Sequence, residues 1–190
     1  MSIQKVAVIG AGTMGNGIAQ VCALAGLDVV MIDISDAAVG KGLSTIEKNL
    51  DRLVVKAKLD DAGKAAALAR IATATDPAAG AGVDLAIEAA TESEALKLKI
   101  LKQWDEQLGE GAILATNTSS ISITRLAAAT KRGDRFIGLH FFNPVPMMAL
   151  VELIRGLQTS DATHEAMQAF AKHVGKTPVT ARNSPGFVVN

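Results

Sequence analysis

"KVAVIGAGTMGNGIAQVCALAGLDVVMID", residues 5–33, decides the fold. It opens on one β-branched apolar run, Lys5 to Ile9, and closes on another, Leu27 to Ile32. Between them Ile18, Val21, Cys22 and Ala25 recur at the i, i+3, i+4, i+7 spacing of a helix face, and Gly26 ends the pattern. Strand, helix and strand in so short a span make a βαβ unit with a right-handed crossover. Past Lys5 and Asp28 both runs are continuously apolar rather than alternating, as in strands covered on both faces. At the first junction Gly10, Gly12 and Gly15 form G-x-G-x-x-G, and Asp33 ends the second strand. The glycine pattern alone is unspecific and fits a structural turn beside a surface aspartate. A strand before it, a helix after it and an acid at the next strand end point instead to a dinucleotide cradle. Gly10 then permits the tight turn, Gly12 the approach of a pyrophosphate, and Gly15 close helix–strand packing. The N–H groups of the helix start, at Thr13 and Met14, meet the phosphates. Asp33 accepts from a ribose diol and repels a 2′-phosphate; "DIS" (33–35) offers no arginine for one, so NAD is expected rather than NADP.

Outward from this unit the alternation continues. "VDLAIEA", "AILATN", "RFIGLHF", "ALVELI" and "TPVTA" read as further strands between helical stretches. The expected architecture is α/β: a Rossmann-type, doubly wound, mostly parallel sheet. One crossover is unusual, because no strand is read between Asp36 and Ile71. Val39, Leu43, Ile46, Leu50 and Leu53 keep helical spacing, "DDAG" (60–63) reads as a break, and a second helix follows. The expectation is a helical hairpin inserted after the second strand and standing off the sheet. Lys41, Lys48, Arg52, Lys56 and Lys58 give it a partly basic face, read as a solvated surface. "AGKAAALARIATATDPAAGAG" (62–82) reads as alanine-rich, linker-like material.

The whole chain fits one domain, 1–190, since 190 residues at 49% apolar content support one core and not two. Lys plus Arg and Asp plus Glu are equal at 19 each, which argues against a nucleic-acid partner. No apolar run reaches the roughly 18 residues of a membrane span. "MSIQKVAVIG" enters a strand directly, without a signal peptide, and the lone Cys22 has no internal disulfide partner. A soluble cytoplasmic domain without a metal site is expected. "NSPGFVVN" stops where a new apolar segment has begun, which reads as a domain cut from a longer chain.

Ligands of doubly wound sheets collect beyond the carboxyl ends of the strands. "NTSS" (117–120) follows one strand there and His140 closes another. Glu152, between Val151 and Leu153, is costly to bury unpaired, and the imidazole is its simplest partner. A neutral histidine suits removal of an alcohol proton during hydride transfer to NAD, and a carboxylate on its far nitrogen fixes the tautomer. His164 and His173 lie in a polar helical stretch and read as structural.

"GAGTMGNGIA", "TNTSSISI", "GLHFFNPVPMMALVE" and "NSPGFVVN" together resemble the N-terminal domain of the 3-hydroxyacyl-CoA dehydrogenases, with the closest likeness to the bacterial 3-hydroxybutyryl-CoA enzymes. The resemblance spans essentially the whole chain. It implies reversible NAD-dependent oxidation of a (3S)-3-hydroxyacyl-CoA of short chain to the 3-oxoacyl-CoA, in fatty-acid β-oxidation. It implies His140 as base, Glu152 as its partner, and Ser119 and Asn190 as substrate contacts. It places Glu92, Lys97, Ser119 and Asn143 by the nicotinamide half, and Lys56 beside coenzyme A. Asn49 stands where the family often has a CoA-contacting serine. The family's C-terminal helical domain, which builds a homodimer, is absent from these 190 residues. Two other readings stand beside this one. A related β-hydroxyacid dehydrogenase has a similar cradle but a lysine base, against which "GLHFFNP" argues. An NAD-binding module without catalysis, like the lens crystallin relatives, is opposed for the parent protein by Ser119, His140, Glu152 and Asn190 occurring together, while for the 190 residues by themselves an NAD-binding module alone stays open as the alternative.

Overall fold

The computed structural model describes residues 2–181. The first βαβ unit forms as expected: β1 (Lys5–Ile9), α1 (Thr13–Leu24) and β2 (Asp28–Ile32), with β1 and β2 parallel. Gly26, at φ +86°, turns the chain out of α1 in the left-handed conformation that glycine adopts without strain. Next come α2 (Asp36–Val55), α3 (Asp61–Ala69), β3 (Ile71–Ala74), β4 (Leu85–Glu88), α4 (Glu94–Gln107) and β5 (Ile113–Thr116). The chain continues through α5 (Ile123–Ala127), β6 (Phe136–Phe141), β7 (Leu150–Ile154), α6 (Asp161–His173) and β8 (Thr177–Ala181).

These strands form one sheet of eight in the order β3-β2-β1-β4-β5-β6-β7-β8. The strands from β3 to β6 run parallel, β7 turns antiparallel against β6, and β8 runs parallel with β7. Chain progress reverses direction between β1 and β4, the switch point where doubly wound sheets open a crevice. Alternate residues of each strand face opposite helical layers. Val6 and Val8 join α1, α2 and α6 in one core, while Ala7 and Ile9 join α4 and α5, around Trp104, in the other. At the far end of α4, Arg132 is buried against Asp105 at 2.6 Å and donates to the carbonyls of Asp105, Leu108, Gly109 and Ala112. It thereby satisfies carbonyls that the helix end leaves unpaired.

Three sequence expectations need correction. "DDAG" does not break the helical segment but starts its second helix: Asp60 caps α3, accepting from the Gly63 N–H at 2.7 Å. The reversal lies earlier, where Ala57 takes φ +51°. The linker-like stretch is ordered as most of α3, the edge strand β3 and a 3-10 turn at Pro77–Gly80. β3 was missed because only Ile71 of its four residues is fully buried, so an edge strand leaves almost no apolar run. Finally, the α2–α3 hairpin is docked. Val39, Ile46 and Leu50 are buried with α1, at about 1.5–3 kcal/mol per fully buried aliphatic side chain. Only its far end, marked by the exposed Val55, carries no such anchor.

Candidate active site

The glycine turn is built by close approach. The Gly10 N–H donates to Ile32 O at 2.7 Å, and Gly10 holds φ +101° with the backbone of Ala89 and Ala90 against it. A Cβ on Gly15 would lie 1.7 Å from Gly10 O, so only glycine lets α1 start this close to β1. A Cβ on Gly12 would meet nothing within 4 Å, so that position faces open space. Gly12 is also the N-cap of α1 and supplies no side-chain cap, which leaves the first N–H groups of the helix, including those of Thr13 and Met14, directed at a ligand position. Asp33 braces the turn from β2: one carboxylate oxygen accepts from Ala11 N and the other from Ile34 N, each at 2.7 Å. Each oxygen keeps a further lone pair for a ribose hydroxyl. Gly12, Thr13, Asp33, Asn49 and Asn143 line one open cleft of about 360 Å³. An open Gly12, an uncapped helix start and a carboxylate beside them fit a dinucleotide.

Beyond the switch point, one row of polar side chains runs along the carboxyl edge of the sheet on the α4 side. Register fixes it: Glu88 of β4 pairs with Thr116 of β5, Thr116 with Gly138 of β6, and His140 lies two residues further on that face. Glu88 is fully buried and accepts from Lys97 Nζ at 2.5 Å, Thr116 Oγ1 at 2.7 Å and Ala90 N at 2.9 Å. Lys97, on α4, donates also to Asn117 O at 3.1 Å. The Asn117 side chain in turn accepts from Phe141 N at 2.9 Å. A continuous hydrogen-bonded chain thus ties β4, β5 and β6 together between the glycine turn and His140.

His140 and Glu152 sit directly opposite each other in the antiparallel β6–β7 pair, so their side chains share one face. His140 Nδ1 lies 2.8 Å from Glu152 Oε2, the imidazole is 7% exposed and the carboxylate 0%. Phe142 packs against the ring with centroids 4.5 Å apart. A carboxylate against Nδ1 favours the tautomer that carries its proton there. Nearby, Glu92 accepts from the Thr118 hydroxyl at 2.8 Å and from Ser119 N at 3.2 Å. The turn that carries Asn143 is tied down by Lys176, which donates to the carbonyls of Val145 and Met148; burial lowers its pKa below the usual lysine value.

The structure therefore brings His140 to Glu152, Ser119 to Glu92, and the glycine loop, Asp33, Asn49 and Asn143 to one cleft. Asn49 also bridges α2 to α1, donating to Gln20 Oε1 at 3.2 Å. The Lys97 ammonium is engaged in the floor of the site rather than in the cleft lining, and Lys56 is an exposed residue at the C-cap of α2. Asn190 lies outside the described residues. Sequence reading missed Glu88 and Thr116 as parts of the site, and placed Asn117 at the ligand-facing strand end without its contact to Phe141 N. Glu88 carried a usable signal, since it is a lone charge at the end of an apolar strand, as Glu152 is within one. Burial pushes the Cys22 thiol up to about 12, so it is inert.

The profile of the family described as "3-hydroxyacyl-CoA dehydrogenase, NAD binding domain" matches residues 5–184. The chain is 52% identical over 188 residues to the 3-hydroxybutyryl-CoA dehydrogenase of Bradyrhizobium diazoefficiens, covering 99% of this chain and 64% of that protein. It is 45% identical to the human mitochondrial hydroxyacyl-coenzyme A dehydrogenase, covering 99% and 62% respectively. The crystal structure of (S)-3-hydroxybutyryl-CoA dehydrogenase from Ralstonia eutropha superposes at a TM-score of 0.98 with 64% identity, over 100% of this chain and 67% of that one. The chain thus spans a little under two thirds of the length of these two curated relatives.

Proposed function

The chain belongs to the 3-hydroxyacyl-CoA dehydrogenase family, and on that premise we propose that its protein oxidises (3S)-3-hydroxyacyl-CoA thioesters reversibly to 3-oxoacyl-CoA, with 3-hydroxybutyryl-CoA as the short-chain substrate. The observation that carries this reading is the buried His140–Glu152 pair at the ligand-facing end of β6, beside a dinucleotide cradle.

NAD bound in the cradle supplies the hydride acceptor. The chain's own residues do the rest. Glu152 holds the Nδ1 proton of His140, so the neutral imidazole presents Nε2 as the basic atom. Nε2 takes the proton of the substrate 3-hydroxyl, and the Glu152 carboxylate stabilises the imidazolium that forms; in the reverse direction the imidazolium returns that proton. Burial of the pair strengthens this charge interaction relative to water. Ser119, whose backbone is held by Glu92, and Asn190 hydrogen-bond the substrate oxygen in this reading. In the same reading Asn143, in the cleft lining, serves the nicotinamide half, and Lys56 and Asn49 on α2 accompany coenzyme A. Lys97 serves that half from beneath, through Glu88 and Asn117.

The same reading makes the protein a cytoplasmic enzyme of fatty-acid oxidation that dimerises through a C-terminal helical domain. Among the described residues no helix is long and apolar enough to cross a membrane. The test is NADH formation by the full-length protein from (3S)-3-hydroxybutyryl-CoA, against NADPH formation with NADP. The reading predicts turnover with NAD and little with NADP. Turnover of a free 3-hydroxy acid but not of its CoA thioester would overturn it.

A further inference from the structure

Two glycines stand inside α2, at positions 40 and 42, although each costs about 1 kcal/mol relative to alanine within a helix. Gly40 has open space beside it. Gly42 does not: a Cβ there would lie 2.8 Å from Ala11 O, 3.0 Å from Ala11 Cβ and 3.1 Å from Met31 Cε. The helix backbone is therefore pressed onto the glycine turn itself, at the residue whose N–H is braced by Asp33. This close approach makes α2 the outer wall of the cradle. It sets Lys41, the neighbour of Gly42, in the lining of the same cleft as Gly12, Thr13 and Asp33. Thr45, one turn on, lines it too, with its hydroxyl turned back onto the Lys41 carbonyl at 2.9 Å.

Among the described residues lining this cleft, Lys41 is the single cation and Asp33 the single carboxylate. The Lys41 ammonium makes no hydrogen bond or ion pair among the described residues. A dinucleotide diphosphate carries two negative charges, and the start of α1 offsets only about half of one. Asp33 adds a negative charge to the same cleft. A lysine held beside the turn by a glycine contact, with no partner among the described residues, offsets one unit of the charge that remains.

We propose that Lys41 is a cofactor-binding residue whose ammonium pairs with the diphosphate of the dinucleotide. The proposal deepens, and rests on, the NAD reading above. It is tested by calorimetric titration of the 190-residue protein with NAD and with ADP-ribose, which keeps the diphosphate and lacks nicotinamide. Lys41→Gln should weaken both about tenfold at low salt, as loss of a charge-assisted contact does, with Lys41→Arg within about threefold of the parent. The gap should close as salt approaches about 1 M, where exposed charges are screened. Lys102→Gln, an exposed lysine on α4 in the opposite helical layer, should leave both affinities unchanged. Parental affinity in Lys41→Gln, or an equal loss in Lys102→Gln, would overturn the proposal. Failure of the unmodified protein to bind NAD would instead remove the NAD reading and this inference with it.

Discussion

Lys97→Met perturbs the polar chain beneath the site at its most sensitive point. Glu88 and Lys97 are both fully buried, so removing the ammonium leaves a carboxylate with only two neutral donors, Ala90 N at 2.9 Å and Thr116 Oγ1 at 2.7 Å. The Asn117 carbonyl loses its lysine donor as well. Breaking a buried pair by deleting one partner costs about 3–5 kcal/mol. The two surviving donors to Glu88 put the expected cost near the lower end. For a chain of 190 residues each kcal/mol corresponds to about 2–4 °C, so the melting temperature should fall by roughly 6–12 °C. The double variant Glu88→Gln/Lys97→Met removes both charges and keeps an acceptor for Ala90 N. Since buried ion pairs contribute little over neutral replacements, it should be more stable than Lys97→Met alone. Calorimetric melting of parent, single and double variants at neutral pH measures both effects. A single variant melting within about 2 °C of the parent, or a double variant less stable than the single, would refute the reasoning.

Glycine substitutions separate packing from ligand approach. Gly15→Ala, whose Cβ would fall 1.7 Å from Gly10 O, should lower both melting temperature and NAD affinity. Gly12→Ala, facing open space, should melt like the parent yet bind NAD at least about tenfold more weakly, because its methyl takes ground the pyrophosphate needs. A third expectation concerns pH. Burial first, and Arg155 second, lower the pKa of His164 below the usual imidazole value of 6.5. Between the lowered value and 6.5 the unfolded chain binds a proton that the folded one does not, so this contribution is full above 6.5 and is lost as pH falls through the folded value. Melting temperatures of parent and His164→Gln between pH 5 and 7 should converge toward acid, with a small effect because solvent screens the half-buried ring.

The fold was legible where burial leaves a pattern. The strand runs of β1, β2 and β4 to β7 and the helical spacing of α1 and α2 are set by apolar residues facing two cores, and they read directly from sequence; the edge strand β8, with Ala181 alone buried, read from the β-branched residues of "TPVTA". β3 left no such trace, since an edge strand with one fully buried side chain looks like its alanine-rich surroundings. "DDAG" was ambiguous for a different reason: the aspartate that favours a turn is also the one that caps a helix, and only the N–H it accepts from decides which. In the site, His140 and Glu152 could be paired on sequence because a buried carboxylate demands a partner. Their facing each other across β6 and β7 required the register. Glu88 left a local signal as a lone charge ending an apolar strand, but its contacts with Thr116 and Lys97 depended on parallel neighbours far apart in sequence, and Gly42 on a tertiary contact with Ala11 that no local pattern encodes.

In the proposed reaction His140 Nε2 is the base that takes the 3-hydroxyl proton. This role is tested most directly in the full-length protein by the rate of (3S)-3-hydroxybutyryl-CoA oxidation by His140→Gln, measured beside its affinity for NAD. The rate should be lower by about 10²–10⁴, the usual consequence of removing a general base, with NAD affinity within about threefold of the parent because the cradle is built from β1, α1, β2 and α2. A near-parental oxidation rate in that variant would contradict this assignment and transfer the role of base to another group.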